Sequence, residues 1–307
     1  MARPSKTRAA PASLSALVRW AERRFIAAGL SFGHGTVCAR DEAVCLVYHA
    51  LGLACDTPVA RAERVLSEAE RARAAALVEL RITTRKPAPY LTGEAWFAGL
   101  PFHVDERVIV PRSPMAELID QRFRPWIESP QRVLDLCTGS GCIAVACALA
   151  LPGARVDASD VSADALTVAA RNVARHGVTG SVRLIQSDLF SELSSQRYEL
   201  IISNPPYVPS ARLSQLPPEY RHEPGLALDG ARDGLAIAAR IIDTARAYLS
   251  DNGVLIVEVG EGARALERRY PHLAFTWLEF ERGEDGVFLL DAAQLRRAAV
   301  LERSRRS

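Results

Sequence analysis

The sequence predicts an α/β protein in which a small helical domain precedes a domain built on a seven-stranded, mostly parallel sheet. Three observations carry this. From Arg132 onward short apolar runs alternate with segments of helical length and periodicity, the pattern of a parallel sheet covered on both faces. The first ~90 residues instead repeat apolar positions at helical spacing. The last two apolar runs are separated only by a glycine-rich turn, Gly283 to Gly286, which makes them an antiparallel pair.

The elements follow in order. Met1 to Pro11 reads as a flexible basic start. Ser13 to Ala28 places Leu14, Leu17, Val18 and Phe25 on one helical face. A turn at Gly33-His34-Gly35 leads to a second helix from Asp41 through Leu51, and Val59 to Arg85 reads as one or two more. Tyr90-Leu91-Thr92-Gly93 is a turn signal, and the aromatic and β-branched residues of Ala95 to Val110 predict a hairpin. Pro111 and Pro114 end it, before a short helix from Met115 to Phe123. The predicted strands are Val133–Leu136, Val156–Ser159, Val182–Gln186, Leu200–Ser203, Val254–Val259, Phe275–Phe280 and Val287–Leu290. Helices are predicted at Cys142–Leu151, Ala163–His176 and Leu235–Leu249, and the arginine-rich tail after Gln294 is helical and then frayed. The boundaries are therefore 1–90 for the helical domain, 91–118 for a hairpin connector and 119–307 for the sheet domain.

Composition narrows the function classes. Of 307 residues, 49% are hydrophobic, enough for a sizeable core, and the formal net charge is only +2. That balance argues against a protein whose affinity rests mainly on neutralising phosphates. Lysine occurs only at Lys6 and Lys86, and the dominance of arginine and alanine reads as a GC-rich codon bias rather than as function. The cysteines Cys38, Cys45, Cys55, Cys137, Cys142 and Cys147 form no C-x-x-C pair, so they read as free thiols of a reducing cytosol and not as disulfides or a metal site. Neither a signal peptide nor a run of about 20 apolar residues is present, which predicts a soluble cytoplasmic protein with no membrane partner.

The first strand runs into Asp135-Leu136-Cys137-Thr138-Gly139-Ser140-Gly141, and a helix opens immediately. Glycines there let a ligand approach the backbone while the helix start offers free N–H groups. Gly139, Gly141 and Ala144 also satisfy the dinucleotide pattern G-x-G-x-x-A, so the loop alone says only that the ligand is nucleotide-like. Three carboxylates sharpen it. Asp160, about 20 residues on, ends the second strand where it can accept ribose hydroxyls. Asp188 ends the third, placed to accept from an adenine amino group with Leu189 against the ring. Asp135 stands before the glycines, where its charge suits a positively charged ligand end. Cys137 touches such a ligand through its backbone only. Each carboxylate alone reads equally well as a cap or turn residue, but three at consecutive strand ends line one crevice.

The fourth strand delivers Asn204-Pro205-Pro206-Tyr207. Pro-Pro also stops a strand, so a plain turn is the competing reading. The chemistry favours a site. An amide or exocyclic amine nitrogen is a poor nucleophile because its lone pair is delocalised. The Asn204 side-chain oxygen can accept one of its N–H groups and the Pro205 carbonyl the other, while Tyr207 stacks on the planar face; Asn204 also counts among the residues that line the ligand crevice. Proline holds that carbonyl still. Loop and crevice together thus predict transfer of a methyl group from S-adenosyl-L-methionine to a planar nitrogen. His34, His103 and His222 read as satisfied histidines, Cys142 and Cys147 as packing, and Arg296, Arg297 and Arg303–Arg306 as a solvated tail.

Asp135–Gly141 followed by Asn204–Tyr207 resembles the class I, Rossmann-like methyltransferases that modify amide or amine nitrogens. Tyr90-Leu91-Thr92-Gly93, Val110-Pro111-Arg112, and Glu223-Pro224 through Asp233-Gly234-Leu235 are similar to segments of the protein-glutamine N5-methyltransferases, the HemK/PrmB group, over nearly the whole chain. That group has one branch acting on release factors and one on the third protein of the large ribosomal subunit. Pro111-Arg112-Ser113-Pro114, Gly33-His34-Gly35-Thr36 with Asp41-Glu42-Ala43, and Tyr220-Arg221-His222-Glu223 look like the ribosomal branch. The resemblance implies N5-methylation of a glutamine in that ribosomal protein, free or in an RNA-bound assembly, with the helical domain gripping the substrate. A nucleic-acid adenine methyltransferase needs the same nitrogen geometry but would carry a region to hold DNA or RNA, and the chain after Tyr207 is short. An oxidoreductase has no use for Asn-Pro-Pro-Tyr, and a non-catalytic scaffold would have no need to keep Asn204.

Overall fold

A computed structural model describes residues 10–54, 57, 58, 60, 63–281 and 286–306. Most of the basic start, Cys55, parts of Val59–Arg85 and Gly283–Gly286, and the side chains of Arg303–Arg306 lie outside the described residues. The chain divides into two compact units, residues 1–94 with 217–222, and residues 95–216 with 223–307. Of the expected connector 91–118, residues 91–94 group with the helices and 95–118 with the sheet, while 217–222, after the Asn204 loop, group with the helices.

The first unit holds helices Leu14–Ala27, Ala39–Leu51 and Glu68–Thr84. Ser13 caps the first and a Ser67–Glu70 capping box starts the third, which is why that helix begins well after Val59. Leu14, Leu17, Val18 and Phe25 pack with Leu46, Val47 and Val78 in one core. Tyr90–Gly93 is not a simple turn. Ala88–Thr92 forms a single helical turn ended by Gly93 at φ 71°. Pro87 and Pro89 favour a helix start, and the left-handed glycine stops it.

Beneath this core lies a buried charge network. Arg81 is fully buried; its guanidinium bonds Glu42, lies 3.4 Å from Glu219 Oε1 and donates to the Ser31 carbonyl at 3.0 Å. Glu219 also accepts from Ser31 N at 3.0 Å and pairs with Arg85 at 2.8 Å. Burial alone would raise the Glu219 pKa, but the Ser31 and own-backbone hydrogen bonds, with Arg81 and Arg85, lower it. His34 packs on Tyr220 at 4.4 Å between ring centroids. Gly33–Thr36, Asp41–Ala43 and Tyr220–His222, three of the stretches that resemble the ribosomal branch, therefore lie together in this unit, where residues 217–222 are clasped among the helices. Arg81→Met leaves the buried Glu42 without its cation and Glu219 with Arg85 alone, and is expected to cost about 3–5 kcal/mol in urea unfolding.

The second unit opens with a hairpin, β1 Glu94–Phe97 and β2 Leu100–His103. The sheet strands are β3 Arg132–Leu136, β4 Arg155–Asp160, β5 Val182–Gln186, β6 Tyr198–Ser203, β7 Leu249–Glu258, β8 Thr276–Leu278 and β9 Val287–Asp291. Their spatial order is β5-β4-β3-β6-β7-β9-β8. The first five are parallel, and β9 pairs antiparallel with both β7 and β8. Successive side chains face opposite layers. Val133, Val156 and Ile202 pack with helix Cys142–Ala150 on one face, and Leu134, Ile201 and Leu255 with helix Ala236–Ala245 on the other.

Several expected boundaries shift: the helix expected at Leu235–Leu249 spans Ala236–Ala245, and the strand expected at Phe275–Phe280 spans Thr276–Leu278. β7 begins at Leu249, ahead of Val254, because Leu249 pairs with Tyr198 and an irregularity before Leu200 absorbs the extra residues. The helix after Pro114 stops at Asp120, since Arg122 and Phe123 turn to φ 54° and 61°. The final helix, Ala292–Arg306, continues through the tail expected to fray. Leu295 and Ala298 bury there, and Arg296 bonds the Asp251 carboxylate at 2.9 Å. Among the described residues no helix is long and apolar enough to cross a membrane.

Candidate active site

Strand order reverses between β3 and β6: β4 and β5 follow β3 on one side, while β6 and β7 lie on the other. Ligands bind open parallel sheets at the carboxyl ends of strands flanking such a reversal. Asp135–Gly141, Asp160, Asp188–Leu189 and Asn204–Tyr207 lie at or just past the carboxyl ends of β3, β4, β5 and β6, so four adjacent strand ends carry the cofactor and amide residues singled out above. Leu136 pairs with Ser203, and the Ser203 hydroxyl donates to the Leu136 carbonyl at 2.8 Å. Asn204 is thus fixed beside Cys137.

The glycine loop is held from below. Thr138 N donates to the Ser159 carbonyl at 3.0 Å, and Gly139 N to Asp160 Oδ2 at 2.9 Å. Asp160 Oδ1 accepts from Ser162 N at 2.9 Å. Burial raises the Asp160 pKa despite these bonds. Gly141 must be glycine: its φ is 77°, and a Cβ would stand 3.1 Å from the Ala169 Cβ. Asp135 is completely buried. Its Oδ2 accepts from Thr138 Oγ1 at 2.5 Å and Ala144 N at 3.1 Å, while Oδ1 has no hydrogen-bond partner among the described residues. Burial pushes its pKa up to about 7. Burial also raises the Cys137, Cys142 and Cys147 thiols, Cys142 to about 12, so no thiolate nucleophile stands at the loop.

Two residues that the sequence reading passed over support this crevice. Asn172, fully buried, donates to the Ser140 carbonyl at 2.8 Å and the His103 carbonyl at 3.0 Å, and accepts from His103 N at 2.7 Å. It ties hairpin, loop and helix Ala163–Arg175 together. Arg240 pairs with Asp188 at 2.8 Å, and that bond lowers the Asp188 pKa. Asp188 is half-exposed, whereas Leu189, at φ 54°, is buried.

The Asn204–Tyr207 loop is braced on every side. Asn204 Nδ2 donates to the Arg112 carbonyl at 3.4 Å, which assigns the amide nitrogen to that side and leaves Oδ1 for an incoming N–H donor. Arg112 is forked onto buried Glu223 at 2.5 and 2.7 Å, and Glu223 also takes Val110 N at 3.0 Å. Val208 exchanges backbone bonds with Leu228 and Gly230 at 2.9 Å. Gly234, at φ 74°, would bring a Cβ to 2.4 Å from the Tyr207 carbonyl. The segments Val110–Arg112, Glu223–Pro224 and Asp233–Leu235 are therefore the frame of this loop. Gly234→Ala is expected to displace the loop and lower turnover about 10- to 100-fold, while the melting temperature falls by only a few degrees.

A sheet of this order with a glycine loop at its reversal defines a Rossmann-like methyltransferase. The Methyltransferase small domain family matches residues 117–215. The hMettl16 catalytic domain, solved with a MAT2A 3'UTR hairpin, superposes with a TM-score of 0.50 at 16% identity over 75% of this chain and 83% of that one, which shows the shared fold. A "Ribosomal protein uL3 glutamine methyltransferase" of Bordetella pertussis is 48% identical over 92% of this chain and 96% of its own. The protein of the same name from Francisella tularensis is 46% identical over 91% of this chain and 90% of its own. The chain belongs to the ribosomal protein uL3 glutamine methyltransferase family.

Proposed function

We propose that this chain transfers a methyl group from S-adenosylmethionine to the side-chain amide nitrogen of a glutamine in ribosomal protein uL3. The observation that carries the reading is the oriented Asn204 amide beside a crevice that ends in a buried, half-satisfied Asp135 carboxylate. A buried carboxylate oxygen without a partner is costly, and a cationic ligand end offsets that cost. The residues fit the cofactor. Asp135 Oδ1 and the loop Cys137–Gly141 would hold its amino-acid end, Asp160 its ribose, and Asp188 with Leu189 its adenine. When bound, S-adenosylmethionine supplies an electrophilic methyl group on a sulfonium.

The chain's own residues do the rest. Asn204 Oδ1 accepts one N–H of the target amide and the Pro205 carbonyl the other. With both hydrogens anchored, the lone pair is turned out of conjugation and toward the crevice. The same acceptors stabilise positive charge that grows on nitrogen, and Pro206 keeps the Pro205 carbonyl from swinging. Tyr207 stacks on the amide plane and excludes water. No general base is needed, because a methylated, positively charged amide nitrogen loses its proton unaided. Positioning supplies most of the rate. The helical unit binds the substrate protein, and the work is cytoplasmic, where ribosomal proteins are made.

The test is acceptor choice. With labelled methyl donor, the purified protein is expected to label unmethylated uL3 and to leave a release factor and an adenine-containing RNA unlabelled. Labelling of the release factor alone would keep the chemistry and overturn the acceptor.

A further inference from the structure

Glu258, at the end of β7, is buried and belongs to none of the loops that hold cofactor or amide. Yet it receives two hydroxyls from the target-amide side of the crevice. The Tyr207 hydroxyl donates to Glu258 Oε1 at 2.9 Å, and the Ser113 hydroxyl donates to Oε2 at 2.6 Å. Ser113 also accepts from Met115 N at 3.2 Å, a turn bond that steadies the chain just past the Arg112 carbonyl on which Asn204 leans. One carboxylate thus fixes both the stacking ring and the segment that orients the Asn204 amide.

A second observation points the same way. The Tyr207 ring lies flush against the backbone two residues past Glu258: a Cβ at Gly260 would stand 2.9 Å from Tyr207 Cε2. Gly260 is itself pressed by the next strand, since a Cβ at Gly286 would come within 2.0 Å of the Gly260 carbonyl. The ring therefore has a floor of backbone and a single anchored hydroxyl. Removing the anchor frees the ring to tilt about its χ angles without opening the fold. The bond also draws the phenol proton toward a carboxylate, which enriches the ring in electrons and strengthens its attraction for positive charge on the reacting groups.

We propose that Glu258 is a positioning residue for methyl transfer: through Tyr207 and Ser113 it holds the stacking ring and the Asn204 support in the arrangement that grips the target amide. The inference rests on the proposed amide chemistry. It concerns kcat, not cofactor affinity, because the two hydroxyls that Glu258 holds belong to Tyr207 and Ser113 on the target-amide side and not to the glycine loop.

The test is a double-mutant cycle with uL3 as acceptor. Glu258→Ala is expected to lower kcat about 10- to 100-fold with S-adenosylmethionine affinity, read by calorimetry, unchanged within about twofold. Glu258→Gln, which keeps an acceptor and the shape, is expected to recover most of that loss. In a Tyr207→Phe background, Glu258→Ala is expected to cost clearly less than in the parent, since one of the two hydroxyls it serves is already gone and only the Ser113 bond remains to be lost. Losses that multiply independently, or a Glu258→Ala protein as fast as the parent, overturn the proposal. A parent protein that labels no uL3 at all instead overturns the function on which it rests.

Discussion

Asn204→Ala is expected to abolish most methyl transfer, by about 100- to 1,000-fold in kcat, while leaving S-adenosylmethionine affinity within about threefold. The size follows from what is removed. An amide lone pair is delocalised into its carbonyl, and only a site that anchors both N–H groups holds the nitrogen turned toward the methyl donor. Alanine deletes one of the two acceptors, so the amide relaxes toward the unreactive plane and the growing positive charge loses a partner. The frame survives, because Arg112 remains forked on Glu223 and Val208 remains paired with Leu228 and Gly230. Asn204→Asp is expected to be nearly as poor. Its carboxylate still accepts, but it loses the Nδ2 bond to the Arg112 carbonyl that sets the orientation. Steady-state kinetics on both variants, with calorimetry for the cofactor, separates this from misfolding.

Asp135→Asn is expected to act in opposite directions on binding and on stability. In the unliganded protein burial holds the Asp135 pKa at about 7, against a reference of 3.8. The folded state therefore keeps a proton that the unfolded chain has released between those values. Stability contributed by this group is present below the lower value, falls as pH rises through the window, and is flat above it. The cost at pH 8 is about 4 kcal/mol at full burial. Asparagine removes the charge but leaves an amide N–H without a partner, worth roughly 1–3 kcal/mol, so a net gain of about 1–3 kcal/mol is expected in unfolding at pH 8. S-adenosylmethionine affinity is expected to fall about 10- to 100-fold, the worth of a charge-assisted contact. In the parent protein affinity is expected to weaken about tenfold from pH 8 to pH 6, as Asp135 takes up its proton. A parent protein whose affinity is flat from pH 8 to pH 6, together with a variant of unchanged affinity, would show that the carboxylate does not meet the cofactor's positive end.

Legibility in the sequence followed what each residue had to satisfy. The parallel strands were readable because burial on both faces makes them near-continuous apolar runs, as in Leu200–Ser203. β7 hid its first half, since Asp251-Asn252-Gly253 reads as a turn until pairing with Tyr198 is known. The loop residues stood out because glycine, proline and carboxylates at strand ends have few structural reasons to be there. Supports were harder. Asn172 sits on the buried stripe Ala165, Val168, Ala169, Asn172 and Val173, where an amide must find partners, so its position alone marked it. Glu258 and Arg240 gave no local signal: a glutamate ending a strand and an arginine on a helix are ordinary. Their partners lie 51 and 52 residues away, and only the fold brings them together. The clasp of residues 217–222 among the helices was likewise invisible, because Glu219 and Arg81 are 138 residues apart.

The central claim is that the Asn204 crevice methylates a glutamine amide. The most direct measurement is fragment mass analysis of uL3 after incubation with the protein and S-adenosylmethionine, with Asn204→Ala alongside. The account predicts one added methyl on a single glutamine side chain, absent with the variant. A methyl placed on lysine, arginine or a terminus, or one that persists in Asn204→Ala, would contradict it.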